Sequence, residues 1–199
     1  MFIQVIQAKT SDAEGLKAQL EHWSEELASG AEGFAGSTAG VSEDGDFVAV
    51  ARFESEEAAR KNSERPEQSK WWEETASHLD GEATFRDFTE VDTSLDYTED
   101  TAGFVQVIQG RSTDPDRQRA LESEFLPQVF EMRTEMLGTL RAWDGDFFVG
   151  VAYFASEHTA REGEGMAMPD ELREAFNEWQ SLFEDLTYID LQEPLLLTP

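Results

Sequence analysis

Phe2-Ile3-Gln4-Val5-Ile6-Gln7 recurs as Phe104-Val105-Gln106-Val107-Ile108-Gln109, and this recurrence decides the fold. Downstream, Asp44-Gly45-Asp46-Phe47-Val48 returns as Asp144-Gly145-Asp146-Phe147-Phe148, and Phe53-Glu54-Ser55-Glu56 as Phe154-Ala155-Ser156-Glu157. The offsets are 102, 100 and 101 residues, so the matches keep their order with almost no insertion. A fixed period of this kind marks a duplicated structural unit. The 199 residues therefore read as a first repeat over 1–92, a polar linker over 93–102 and a second repeat over 103–199.

Each copy yields one order of elements. Residues 2–9 alternate as a strand, and Leu16, Leu20, Trp23 and Leu27 follow at helical spacing. Strands at about 34–42 and 47–54 flank Asp44-Gly45, a turn pair that tolerates positive φ. Ser55 is placed to cap a short helix, Pro66 interrupts it, a second segment covers about 68–79, and a strand at about 83–91 closes the unit. In copy two the expected elements are strand 104–111, helix 115–132 kinked at Pro127, strands 137–143 and 147–154, helices 156–163 and 170–185, and strand 187–193. The order β-α-β-β-α-β is ferredoxin-like, α+β: a four-stranded antiparallel sheet with helices on one face. Its other face needs a cover, and a duplication supplies a second sheet within one chain. An intramolecular pseudo-dimer is the expected arrangement, with further self-association left open.

Composition narrows the partners. Formal net charge is −28, with 24 of the 43 acids and eight of the fifteen bases in residues 1–100, so the acidity coats both repeats. Such a surface repels nucleic acid and anionic membranes. Only four bases are lysines (Lys9, Lys17, Lys61 and Lys70), a balance that fits salt adaptation or general solubility alike. No apolar run approaches the ~20 residues of a membrane helix, and the opening strand does not read as a secretory signal. A cytoplasmic location is the default expectation. The absence of cysteine removes disulfides, thiolate metal sites and cysteine nucleophiles.

The element order and spacing of both repeats resemble the dimeric α/β-barrel superfamily, in particular its antibiotic biosynthesis monooxygenase-like group. The resemblance implies two sheets packed face to face and a pocket between helices and sheet in each repeat. It implies, for some members, cofactor-independent oxygenation of aromatic polyketides or quinols, and for others haem degradation. In haem-degrading relatives an asparagine, a tryptophan and a histidine form the site. Gln4 (Gln106 in copy two) falls at the asparagine position, Asn62 near the tryptophan and Trp72 near the histidine. The axial ligand is thus missing unless His78 substitutes, and no cofactor is expected.

Candidate ligand-binding residues follow. In copy one they are Gln4, Asn62, Trp71, Trp72 and His78; in copy two Gln106, Trp143, Arg161, Asn177 and Trp179. Amides could hydrogen-bond a carbonyl or phenol while indoles clamp a planar ring. The competing reading makes Trp71 and Trp72 core residues and the strand glutamines structural, satisfied by neighbouring backbone. Arg161 could meet a carboxylate or phenolate, or simply pair with a surface acid. The three histidines, His22, His78 and His158, lack HxH or HxxxH spacing, so no metal site is expected. No nucleophile elbow or phosphate-binding glycine loop is present. Two functions stay open: a small-molecule-binding or non-enzymatic pseudo-dimer, and a cofactor-independent monooxygenase on a small aromatic or polyketide-like substrate. An indole-filled space between sheet and helices would favour the first, a closed pocket lined by Trp72 and Gln4 the second.

Overall fold

A computed structural model describes residues 1–94, 101–167 and 169–198. The chain divides into two compact units: residues 1–91 with the segment from Glu193 onward, and residues 92–192.

In the first unit, β1 (Phe2–Lys9) leads into α1 (Ala13–His22), which continues as a π-turn over Trp23–Leu27. Asp12 caps α1, its carboxylate accepting from the Gly15 amide at 3.0 Å. The hairpin β2 (Phe34–Val41) and β3 (Asp46–Phe53) turns at Gly45, whose φ of 76° demands glycine. Ser55 caps α2 (Glu56–Ser63), and Pro66 occupies the first turn of α3 (Pro66–Ala76), where its missing N–H costs nothing. β4 (Thr84–Phe88) ends early, because the chain breaks at Thr89 and restarts as β5 (Glu90–Ser94) in the second unit's sheet. The expected strand 83–91 is therefore two strands. The expected linker 93–102 lies mostly outside the described residues, and its first two positions belong to β5.

The second unit repeats the pattern with β6 (Phe104–Ser112), α4 (Pro115–Met132), β7 (Met136–Asp144), β8 (Phe147–Phe154), α5 (Glu157–Glu164), α6 (Asp170–Ser181) and β9 (Phe183–Leu191). Pro127 lies inside α4, which runs on to Met132. α6 stops at Ser181 rather than at 185, and β9 starts four residues earlier than the expected 187. A final strand, β10 (Leu195–Leu197), pairs antiparallel with β2, so the last residues of the second repeat belong to the first unit. The sheets run β10-β2-β3-β1-β4 and β5-β7-β8-β6-β9. Stripped of the two added edge strands, each is the ferredoxin-like order of an α+β repeat.

Between helices and sheet the first unit is filled by rings. Trp23 meets Phe34 edge-on at 4.8 Å and Trp71 at 6.3 Å, with Leu16, Leu20 and Phe53 packed around them. The equivalent layer of the second unit holds Leu121, Phe125 and Leu172, flanked by Phe176 and Trp179.

Candidate functional site

The strand registers and helix caps superpose the repeats residue by residue. Ser37 and Thr139 both pair with an alanine of the next strand, so Ala39 corresponds to Arg141. Asp12 and Asp114 both cap their helices, so Leu16, Leu20 and Trp23 correspond to Gln118, Glu122 and Phe125. Phe34 corresponds to Met136, since both pair with the last phenylalanine of the neighbouring strand. Two large rings of the first unit thus become smaller side chains in the second, and two apolar side chains become an acid and a base.

Space opens accordingly. A cavity of about 350 Å³ lies between the second unit's sheet and helices. Ile108, Gly150 and Ala152 floor it, Phe125, Leu126, Val129 and Met132 of α4 form one wall, and Phe176 and Trp179 of α6 another. Thr139, Glu122 and Arg141 supply polar groups at one end and Arg133 at the other. Few convergent polar groups in an apolar hollow of this size is how small-molecule sites are built.

The polar end is tightly organised. Glu122 Oε1 accepts from Trp179 Nε1 at 2.7 Å and from Gln118 Nε2 at 3.2 Å, and Arg141 Nη1 stands 2.8 Å away. That last contact is an ion pair without the alignment of a hydrogen bond, since Nη1 has no hydrogen-bond partner. The two side chains keep only 10% and 15% of their surface. Arg141 lies flat over its cross-strand partner Gly150, where an added Cβ would sit 3.4 Å from Cζ, and its cation stands 5.1 Å from the Phe148 ring. Burial pushes the guanidinium below its ordinary value while Glu122, then Asp92, oppose the shift; an arginine stays charged at neutral pH regardless. At the other end Arg133 pairs with Glu135 and donates to the Ala160 carbonyl at 3.1 Å.

Of the residues singled out in the sequence, Trp179 alone lines this cavity. Trp143 is buried on the same sheet face two residues beyond Arg141; its Nε1 donates to Asp92 at 3.1 Å, with Arg119 over its ring. Asn177 is exposed. Gln106 Nε2 donates to Asp190 at 3.0 Å, and Asp190 also pairs with Arg161, which Glu164 and Glu157 flank. The hydrogen bond to Asp190 is the main cause raising the Arg161 pKa. Arg161 is thus a paired surface cation. The same glutamine contact recurs in the first unit, where Gln4 Nε2 donates to Asp87 at 2.8 Å. Each glutamine is satisfied by the carboxylate opposite it on the edge strand, not by neighbouring backbone.

The first-unit candidates do not converge. Trp71 is core, its Nε1 donating to the Gln19 carbonyl at 2.8 Å, and Trp72 packs on Trp71 and Phe85. Asn62 accepts from Arg65 at 2.9 Å beside a shallow hollow of about 160 Å³. His78 Nδ1 lies 2.7 Å from Asp12 Oδ2, at the start of α1. His22 is exposed, and His158 pairs on the surface with Glu162. Sequence reading missed Glu122, Arg141, Gln118 and Thr139. For the first three a signal was available: Glu122, Arg141 and Gln118 are polar where the first repeat has Leu20, Ala39 and Leu16, whereas Thr139 corresponds to Ser37 and stands out in neither repeat.

No family model matches the sequence, and no curated protein matches it. Solved structures do. The chain is similar to a "putative monooxygenase" from Fusobacterium nucleatum subsp. nucleatum, with TM-score 0.75 and 10% identity, covering 99% of this chain and 94% of that one. A second, from Lactobacillus acidophilus and of the same description, gives 0.73 and 12%, covering 98% of each chain. An "anthrone oxidase-like protein" gives 0.66 and 15%, covering 98% and 93%. At such identities the likeness is one of fold. The chain shares the fold of these proteins over nearly its whole length, and what it does with that fold rests on its own residues.

Proposed function

We propose that this protein binds a compact, largely apolar aromatic molecule in the cavity of its second unit, the first unit serving as a filled scaffold. The observation that carries this reading is the difference between the repeats. Where Trp23 and Phe34 close the first unit, Phe125 and Met136 leave a hollow with Arg141, Glu122 and Thr139 at one end. A hollow of ~300 Å³ or more, apolar with a few polar groups, suits one small ligand.

The test restores the first unit's rings to the second. Phe125→Trp combined with Met136→Phe should fill the cavity without adding a polar group. Calorimetric titration with naphthalene and 1-naphthol should show one saturable site in the wild type, weakened at least about tenfold in the double variant, or ~1.4 kcal/mol. Absence of binding in both proteins, or equal binding, would sink the proposal.

A second reading, cofactor-independent oxygenation of such a ligand, is supported by an acid and a guanidinium at one end of an apolar site. The acid could take a proton from a bound phenol and the cation could hold the anion formed. Oxygen consumption that depends on the aromatic ligand and disappears in the filled variant supports it; tight binding without oxygen uptake leaves the binding protein.

A further inference from the structure

We infer that the polar end of this cavity selects an uncharged aromatic hydroxyl, received by Arg141 as donor and Glu122 as acceptor, over a carboxylate of the same ring size. The inference rests on the binding reading above and adds the chemistry of the ligand's polar group.

Three observations carry it. Glu122 Oε1 is crowded: Trp179, Gln118 and Arg141 all address it. Both hydrogen bonds and the ion pair fall on Oε1, which leaves Oε2 free of them on a side chain that lines the cavity. That oxygen is an acceptor waiting for a donor, and a carboxylate ligand has none to offer.

Arg141, in turn, is held by its ion pair to Glu122 and by the Phe148 ring. Its buried Nη1 has no hydrogen-bond partner, and the side chain lines the same cavity beside Gly150. Guanidinium N–H donors beside an apolar hollow call for an acceptor oxygen. A hydroxyl oxygen accepts from the guanidinium while its proton goes to Glu122 Oε2, so one neutral group meets both needs.

Charge sets the selectivity. Glu122 already neutralises Arg141, so the site offers an anion no net positive charge. A ligand carboxylate would lose its hydration and stand beside the Glu122 carboxylate, both unfavourable. Thr139, at the same end, has a hydroxyl that adapts to either partner and does not alter that balance. The first unit supplies the contrast, with Leu20 and Ala39 at these two positions and both packed into its core.

The experiment compares naphthalene, 1-naphthol and 1-naphthoate on the full chain by calorimetry, near neutral pH. Wild type should prefer 1-naphthol to 1-naphthoate by about tenfold or more, the scale of one charge-assisted hydrogen bond. Glu122→Gln leaves Arg141 uncompensated and should reverse that preference. Should this variant fail to fold, Glu122→Leu with Arg141→Ala rebuilds the first unit's apolar pair. Replacing both members of a buried ion pair together is often neutral for stability. This double variant should lose the preference for 1-naphthol over naphthalene. If no two-ring probe binds, the binding reading itself fails. If the probes bind but 1-naphthoate equals 1-naphthol, or the double variant keeps the hydroxyl preference, the selectivity inference alone is overturned.

Discussion

Asp12 does two jobs with one carboxylate. One oxygen accepts from the Gly15 amide and caps α1, and the other meets His78 Nδ1 at 2.7 Å. The histidine contact, followed by the amide, holds the Asp12 pKa below the ordinary carboxylate value. A depressed folded-state pKa contributes stability above the unfolded value that is lost as pH falls through the folded one. Asp12→Asn keeps the cap and removes the charge. The variant should unfold at a lower temperature than wild type at pH 7, and the two melting points should converge as pH drops below the carboxylate range. A gap that persists unchanged into acid would show that the charge is not what His78 recognises. From the sequence, His78 stood as a candidate ligand group because it could substitute for the histidine that the resemblance implies; its partner 66 residues away was invisible until the fold placed the end of α3 beside the start of α1. Glu122 and Arg141 were hidden differently. Each reads alone as one more of the 58 charged residues in the chain, and only the repeat alignment shows that both stand at core positions.

Elements were more legible than residues, because each rests on a periodic pattern rather than on one partner. Helix 115–132 and strand 147–154 were readable to the residue from apolar spacing and the Asp144-Gly145 turn. The same approach failed at the junction of α6 and β9, where apolar positions suggested helix to 185. A bulge lies there: the register shifts between Gln109 and Arg111, and Asp185 takes a φ of 53°. An extra residue in a strand breaks the two-residue period that sequence reading depends on. Gly110 permits this, since a Cβ on it would stand 2.8 Å from the Glu184 carbonyl oxygen. The first repeat has Ala8 at that position, and there β4 ends its pairing at Gln7 with Thr84 and makes no such approach. Gly110→Ala should therefore destabilise the protein by about 1–3 kcal/mol, the usual cost of overpacking. Urea unfolding measures it; a variant as stable as wild type would mean that the strand end yields freely. Crowding of this kind cannot be read from composition, because the glycine and the bulge lie 75 residues apart.

Across the whole molecule, the duplicated pattern gives the order of elements but not where each strand is used. The chain leaves the first unit after Val91, builds the second, and returns at Glu193 to place β10 against β2. Leu195 pairs with Ala39 and Leu197 with Ser37, while the Leu197 side chain is buried in the core that holds Trp23 and Phe34. Burial of one leucine contributes about 1.5–3 kcal/mol, and the ladder bonds protect the β2 edge from solvent. The exposed Lys17–Glu193 contact at 3.8 Å adds little beside them. Ending the chain at Gln192 removes residues of the second repeat, yet the damage should appear in the first unit. Hydrogen exchange should accelerate in β2, at Phe34–Val41, whereas β6 and β8, bonded to each other along their full length, keep their protection. If exchange rose instead throughout the second unit, the repeat boundary rather than the strand pairing would govern stability, and β10 would be an appendage of the sequence that precedes it.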